Sequence, residues 1–122
     1  MTRSEKIGYE AMRGANERSL GKCAMYVRLA LERAGIVISY PYPRSAYMYE
    51  EVLPKYGFQK VKEKDVRDGT IAVWSASLAH PHGHICVKYG EFWYSDFKQK
   101  NVMCWYSGSE GSKVQYFNFV EK

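Results

Sequence analysis

Two amphipathic segments fill the first third of the chain. Apolar residues recur at helical spacing over residues 4–18, where Ser4 is a candidate N-cap, and again over residues 23–34. The second segment is the clearer helix, because four apolar residues share one face and Gly35 stands where a left-handed C-terminal cap belongs. These four residues are Val27, Ala30, Leu31 and Ala34. The pattern therefore predicts two helices, separated by a short break at residues 19–21.

The pattern changes to short β-rich runs in the rest of the chain. One or two helical turns are predicted over residues 45–53, and Pro54 ends them. Gly90 separates two apolar runs, which predicts a β-hairpin. The predicted strands cover residues 70–74, 84–89, 92–95, 102–106 and 113–120. Helices followed by an antiparallel meander predict one α+β domain that spans residues 1–122.

The composition is that of an ordinary globular domain. The 122 residues are 46% hydrophobic and carry a net charge of +5, spread along the chain. Dispersed charge without a basic run gives no support to a nucleic-acid partner. No apolar stretch approaches the ~20 residues of a membrane-spanning helix. Residues 1–22 carry charges and no apolar core, so neither a membrane span nor a signal peptide is expected.

Cys23, Cys86 and Cys104 are the three cysteines, and they lack the Cys-x-x-Cys spacing of a structural zinc site. At most one disulfide can form among them, which leaves one thiol over. Cys23 begins a predicted helix, whose unpaired N–H groups and partial positive charge favour a thiolate. The same N–H groups can bind the oxyanion of a tetrahedral intermediate. Cys23 is therefore either a nucleophile or a small apolar residue of the helix.

His84 opens a predicted strand, which would hold its imidazole rigidly, and it is the candidate general base. One alternative is a histidine satisfied by a backbone carbonyl. Another is a metal site, since His80, His82 and His84 would share one face of an extended run. Pro81 and Gly83 disfavour a straight strand there, so no metal is expected.

Asp96 is the candidate for orienting the histidine. A three-residue hairpin loop at residues 89–91 would place His84 opposite Asp96 on the neighbouring strand. A carboxylate there can fix the imidazole tautomer and stabilise the imidazolium. A two-residue turn would instead bring Ser95 or Phe97 opposite His84. The alternative for Asp96 is a strand-end cap, which the spacing does not exclude.

A cysteine at a helix start, a strand histidine and a polar residue on the next strand follow the chain order of papain-like hydrolases. Four segments of the chain resemble the small papain-like cell-wall amidases, which include CHAP-type amidohydrolase/peptidases and the related amidase effectors of type VI secretion. The segments are SLGKCAMYVR (19–28), DGTIAVW (68–74), GHI (83–85) and WYSDF (93–97). Each is short, and their order and spacing carry the resemblance.

The resemblance implies a papain-like α+β domain in which Cys23 is the nucleophile, His84 the general base and acid, and Asp96 the orienting residue. Many CHAP members use Glu followed by Asn for the third role, so this chain departs from them at Asp96. The implied reaction is hydrolysis of an amide bond in the peptide stems or crosslinks of peptidoglycan. It needs no metal and no organic cofactor.

The implied partners are peptidoglycan peptide stems and, for a secreted antibacterial toxin, a cognate immunity protein that plugs the cleft. Such a toxin is cytoplasmic in its producer and acts in the periplasm or cell wall of a target bacterium. In an oxidising compartment Cys86 and Cys104 are expected to form a disulfide, on cysteine parity alone. Trp74, Trp93 and Trp105 are candidates for lining a groove, with core packing as the alternative.

Other functions stay open on the sequence alone. A phage-type lytic enzyme, or a papain-like hydrolase of another amide, would use the same residues. A non-catalytic module that binds the cell wall, or that binds single-stranded nucleic acid by stacking bases on its aromatic residues, is a different class. That class leaves Cys23 at the helix start without a role.

Overall fold

Two helices cover one face of an antiparallel sheet in the computed structural model, which describes residues 1–102 and 113–121. The α-helices are α1 (Arg3–Gly14), α2 (Cys23–Arg33) and the short α3 (Tyr49–Val52). Single turns of 3-10 helix cover Ala46–Met48, Leu53–Tyr56 and Glu63–Asp65. Within the described ranges, no helix is both long and apolar enough to cross a bilayer.

The strands are β1 (Phe58–Val61), β2 (Ile71–Trp74), β3 (His84–Tyr89), β4 (Phe92–Tyr94), β5 (Lys98–Gln99) and β6 (Val114–Phe119). They form one six-stranded sheet in the order β1-β6-β2-β3-β4-β5. This confirms the α+β prediction. The simple meander is wrong, because β6 lies between β1 and β2. Tyr116 and Phe117 on β6 belong to clusters on opposite faces of the sheet, and a strand buried on both faces belongs in its interior.

The start of α1 differs from the prediction by two residues. Thr2, not Ser4, is the N-cap: its side chain accepts from the N–H of Glu5 at 3.1 Å, and the Glu5 carboxylate accepts from the N–H of Thr2 at 2.9 Å. This reciprocal pair is a capping box. Ser4 is buried, and its hydroxyl donates to the carbonyl oxygen of Asp68 at 2.6 Å. The helix ends at Gly14, earlier than predicted.

The sheet has a core on each face. The larger core joins α1 and α2 to the strands through Ile7, Val27, Leu31, Ile71, Ile85 and Val87. The smaller, on the other face, contains Ala72, Cys86, Trp93 and Tyr116. Trp74 and Trp93 are buried, so they pack in the interior and do not line a groove.

Some predictions fall outside the described residues. Of the predicted strand 102–106, residues 103–106 lie outside the described ranges, and these include Trp105. Val102 is described and is not in a strand. Cys86 is buried on β3, but Cys104 is outside the described ranges. The disulfide between these two cysteines stays a prediction.

Candidate active site

Cys23 is the first residue of α2 and is half-buried. Its N-cap residue, Lys22, supplies no side-chain hydrogen bond to the helix. A Ser, Thr or Asp at that position would normally occupy one of the first N–H groups. The helix therefore begins without a side-chain cap, at the residue with nucleophilic chemistry.

The loop that leads into α2 is anchored by Asp96, whose residue exposure is 0%. Its carboxylate accepts from the backbone N–H of Leu20 at 2.7 Å and of Lys22 at 2.9 Å. The Ser19 hydroxyl lies 3.4 Å from the same carboxylate. Hydrogen bonds to an ionised acceptor are stronger than neutral ones. Asp96 therefore fixes the entry to the helix and, with it, the position of Cys23.

His84 begins β3 and is held by a partner on another strand. It is 1% exposed, and its Nε2 lies 2.8 Å from Oε1 of Gln99 on β5. The Gln99 Nε2 donates to the carbonyl oxygen of Asn101 at 3.0 Å, which fixes the orientation of the amide. Because the amide then presents its oxygen to the ring, His84 Nε2 must carry the hydrogen. In the neutral ring, Nδ1 is the nitrogen that can accept a proton.

The residue before His84 must be glycine. Gly83 has a φ of +69°, which L side chains rarely adopt, and a Cβ there would lie 2.3 Å from the backbone oxygen of Trp74. The chain thus passes close against the end of β2 as it enters β3, and this approach positions the imidazole.

Cys23 and His84 line the same cleft, which has a volume of about 210 Å³. Asp96 and Gln99 are not among the lining residues and lie behind them. The sequence predicts that Cys23 and His84 act together, and the fold brings both to one opening. The cleft is therefore the candidate active site.

The protonation states of the pair follow from burial. Burial raises the pKa of the Cys23 thiol, and hydrogen bonds from backbone N–H groups, chiefly that of Ile85, oppose the rise. Burial lowers the pKa of His84, against the hydrogen bond to Gln99 and the charge of Asp96. Loss of water around the sulfur thus opposes the thiolate that the helix start favours. Both shifts favour the uncharged forms, a thiol at Cys23 and a neutral imidazole at His84.

The predicted cross-strand pair of His84 and Asp96 rests on a wrong hairpin loop. β3 pairs with β4 through Tyr89 and Phe92, which leaves a two-residue turn at residues 90–91. The glycine in this turn has a φ of +60°, which permits the tighter connection. The shorter turn shifts the register between β3 and β4 by one residue, so Asp96 is not opposite His84. Asp96 acts on the imidazole through its charge, which raises the pKa of His84.

Gln99 is the site residue that sequence reasoning misses. It lies between Lys98 and Lys100 in a polar stretch, with no apolar pattern to indicate a strand. It becomes buried because β5 pairs with β4 through Trp93 and Gln99. No local signal in the sequence distinguishes it from a surface glutamine.

The three histidines at 80–84 do not form a cluster of metal ligands. His82 is bound through Nδ1 to the Ser45 hydroxyl at 2.7 Å, whereas His84 is bound to Gln99. In the part of the chain that the structure describes, no group of three His, Cys, Asp or Glu residues could hold a metal ion.

No protein-family model matches this chain, and no curated protein matches it significantly. Among solved structures, it is similar to a chain of the type VI native effector–immunity complex Tae3–Tai3 from Ralstonia pickettii. The TM-score is 0.82 at 28% sequence identity, over 96% of this chain and 98% of that one. The selenomethionine form of that complex matches with a TM-score of 0.79 at 29% identity, over 91% and 97% of the two chains. The chain therefore has a type VI effector-like fold over nearly its whole length.

Proposed function

We propose that this chain is a peptidoglycan amidase effector of type VI secretion and that Cys23 is its nucleophile. The observation that carries the proposal is the shared cleft of Cys23 and His84, at a helix start and a strand start of a type VI effector-like fold. A papain-like assignment rests on the same arrangement. The substrate is an amide in the peptide stems or crosslinks of peptidoglycan.

The neutral state of the pair defines the first step. His84 accepts the thiol proton at Nδ1 while the sulfur of Cys23 attacks the amide carbonyl carbon, so charge separates only as the bond forms. The oxyanion that develops lies at the start of α2, where backbone N–H groups without a side-chain cap can donate to it. This is general-base catalysis and does not require a preformed thiolate.

The second half returns the proton. The imidazolium donates it to the leaving amine, the C–N bond breaks, and an acyl-enzyme remains on Cys23. A water molecule, deprotonated by His84 at Nδ1, then attacks the thioester carbonyl, the C–S bond breaks and the carboxylic acid leaves. The same imidazolium proton passes to the departing sulfur, which restores the Cys23 thiol and the neutral ring. Each half of the reaction moves one proton to and from Nδ1 of His84. The ring must therefore keep its tautomer throughout.

Gln99 and Asp96 are positioning residues in this mechanism. Gln99 accepts from Nε2 and so makes Nδ1 the nitrogen through which His84 exchanges the proton. Its hydrogen bond opposes the lowering of the pKa of His84 that burial causes, and it does so without adding a charge. Asp96 holds the loop before Cys23 through the N–H groups of Leu20 and Lys22.

The matched structures are effector–immunity complexes, which supports an effector role here. We infer that the protein acts in the periplasm of a target bacterium and that its producer makes an immunity protein that blocks the cleft. Expression directed to the periplasm should lyse cells, whereas cytoplasmic expression should not. The periplasmic Cys23→Ala protein should be harmless.

The direct test is digestion of purified peptidoglycan, with mass analysis of the soluble fragments. The wild type should release peptides with new amine and carboxylate ends, and Cys23→Ala should release none. Cys86→Ala is the matched control, because Cys86 is buried on the other face of the sheet, and it should digest like the wild type if it folds. Equal digestion by Cys23→Ala would refute the nucleophile. If the wild type cuts nothing but still binds the wall, the chain is a binding module.

A further inference from the structure

A second groove opens on the other side of Cys23. It lies between the first two turns of α2 and residues 42–49, and its volume is about 450 Å³. It adjoins the catalytic cleft, because Cys23 and His82 line both. A substrate whose carbonyl lies at Cys23 therefore extends a neighbouring group into this groove.

The groove is positively charged. Lys22, Arg28 and Arg44 line it, and none of its described lining residues is acidic. Across residues 1–102 and 113–121, none of these three cations is in an ion pair. The charge is concentrated beside the nucleophile although the chain as a whole is only modestly basic.

Arg28 is held in a fixed orientation. Its guanidinium carbon lies 3.7 Å from the centre of the Tyr42 ring. A guanidinium stacked on an aromatic face keeps the N–H groups at its edge available. Those groups match the two oxygens of a carboxylate.

Tyr49 supplies a buried donor at the same place. Its side chain is 1% exposed, yet it lines the groove, and its hydroxyl makes no hydrogen bond to any described residue. Burial raises the pKa of Tyr49 to about 12, and the charge of Arg28 opposes the rise. The hydroxyl is therefore protonated under all working conditions and within electrostatic reach of Arg28. The hydroxyl is not fully enclosed, since Tyr49 lines the groove, so a ligand in the groove can accept a hydrogen bond from it.

We propose that this groove is a carboxylate-binding subsite, in which the Arg28 guanidinium and the Tyr49 hydroxyl bind a free carboxylate that neighbours the scissile amide. The inference rests on the proposed function, because peptidoglycan stems carry free carboxylates beside their amide bonds. Arg28 is then a specificity-determining residue. It selects an acidic peptide over its neutral amide.

The test compares one substrate in two forms. Soluble crosslinked muropeptides are used with free carboxylates, or with the same carboxylates converted to carboxamides. Wild type should lose about 10- to 100-fold in kcat/KM on the amidated form, mainly through KM, as expected for a lost charge-assisted pair. Arg28→Gln should lose a similar factor on the acidic form and nothing further on amidation, because the two changes remove one interaction.

Two further variants keep the result interpretable. Arg33→Gln removes one charge from the exposed face of the same helix and should change kcat/KM by less than about 2-fold. Tyr49→Phe keeps the packing and removes only the hydroxyl, and it should reduce discrimination between the two forms by about 3- to 10-fold. Equal losses on amidation in wild type and Arg28→Gln would overturn the subsite.

A binding measurement separates this inference from the proposed function. Cys23→Ala protein, titrated calorimetrically with the same two muropeptide preparations, should bind the acidic form at least about 10-fold more tightly. Adding Arg28→Gln should abolish that preference. If the wild type cuts no peptidoglycan but this preference is found, the amidase proposal fails and the carboxylate subsite stands. Equal affinity for both forms would overturn the subsite even if the wild type is an active amidase.

Discussion

The two sides of Cys23 differ in how far their polar groups are satisfied within the chain. On the sheet side, His84 is bonded to Gln99 at 2.8 Å, and the Asp96 carboxylate accepts from two backbone N–H groups. On the α2 side, Arg28 has no ion-pair partner among the described residues, and the hydroxyl of Tyr49, which lines the groove, has no hydrogen bond there.

This difference separates catalysis from recognition. A catalytic pair works best when its geometry is complete before the substrate arrives, since no reorganisation is then needed during the reaction. Recognition groups work best when they lack a partner, because binding then supplies one. The sheet side of the cleft has the first property and the groove beside α2 has the second.

The largest effect should come from His84. His84→Ala removes the base and acid of both steps, and general acid–base catalysis contributes about 10²- to 10⁴-fold. We therefore expect kcat to fall by at least about 10³-fold, with little change in binding, in muropeptide assays. His80→Ala is the control, because His80 lines the same cleft without a role in the mechanism. An equal loss of kcat in both variants would mean that a disturbed cleft, and not the removal of the base, causes the loss.

Gln99 should give the next largest effect. Gln99→Leu removes the acceptor for Nε2, so the tautomer and ring position are no longer fixed, and kcat should fall about 10- to 100-fold at constant KM. Gln99→Glu places a negative charge beside the imidazole ring, which should raise the pKa of His84. The acid limb of the pH profile of kcat/KM should therefore move to higher pH. If Gln99→Leu changes KM alone, the residue shapes the cleft and does not position the base.

The anchoring of the loop before α2 by Asp96 can be tested through protein stability. Asp96→Asn removes the charge from two hydrogen bonds and turns an N–H donor toward a backbone N–H, which should lower the free energy of unfolding by about 1.5–3 kcal/mol. Urea denaturation measures this directly. Because the Asp96 charge raises the pKa of Cys23, the thiol should also alkylate faster at a given pH in the folded variant. Unchanged stability would contradict the anchoring role.

The smallest effect is a displacement along the pH axis. Because the pKa of His84 is lowered from 6.5, the neutral base persists at lower pH, and the acid limb of kcat/KM should have its midpoint below 6.5. Because the pKa of Cys23 is raised from 9.0, its alkylation rate should keep rising above pH 9. A rate of alkylation that is constant from about pH 5 to 8 would instead indicate a preformed thiolate–imidazolium pair.

The fold and the positions of the candidate pair, Cys23 and His84, are largely predictable because their signals are local. The apolar face of α2 and the alternation in β3 depend on residues close in sequence, so the positions of Cys23 and His84 follow from helix and strand boundaries. The partner of His84 is not predictable in this way. It depends on a two-residue turn where a three-residue loop is expected, and then on a two-residue strand that pairs Gln99 with Trp93.

The groove beside α2 cannot be predicted from the sequence, for a different reason. Arg28 and Tyr42 belong to separate segments, and Tyr49 belongs to a third, short helix. Their meeting depends on how residues 42–49 pack against α2, which no local pattern specifies. The location of β6 is comparable, since its insertion between β1 and β2 is decided by burial on both faces of the sheet.

The most direct test of the central claim is the relation between modification of Cys23 and loss of amidase activity. Wild-type protein is treated with substoichiometric iodoacetamide, and peptide mass mapping and muropeptide hydrolysis are measured on the same samples. We predict that activity falls in proportion to the fraction of Cys23 modified and reaches zero at full modification, and that substrate slows both changes. Hydrolysis that continues when Cys23 is fully modified, or that is lost in proportion to another cysteine, would contradict it.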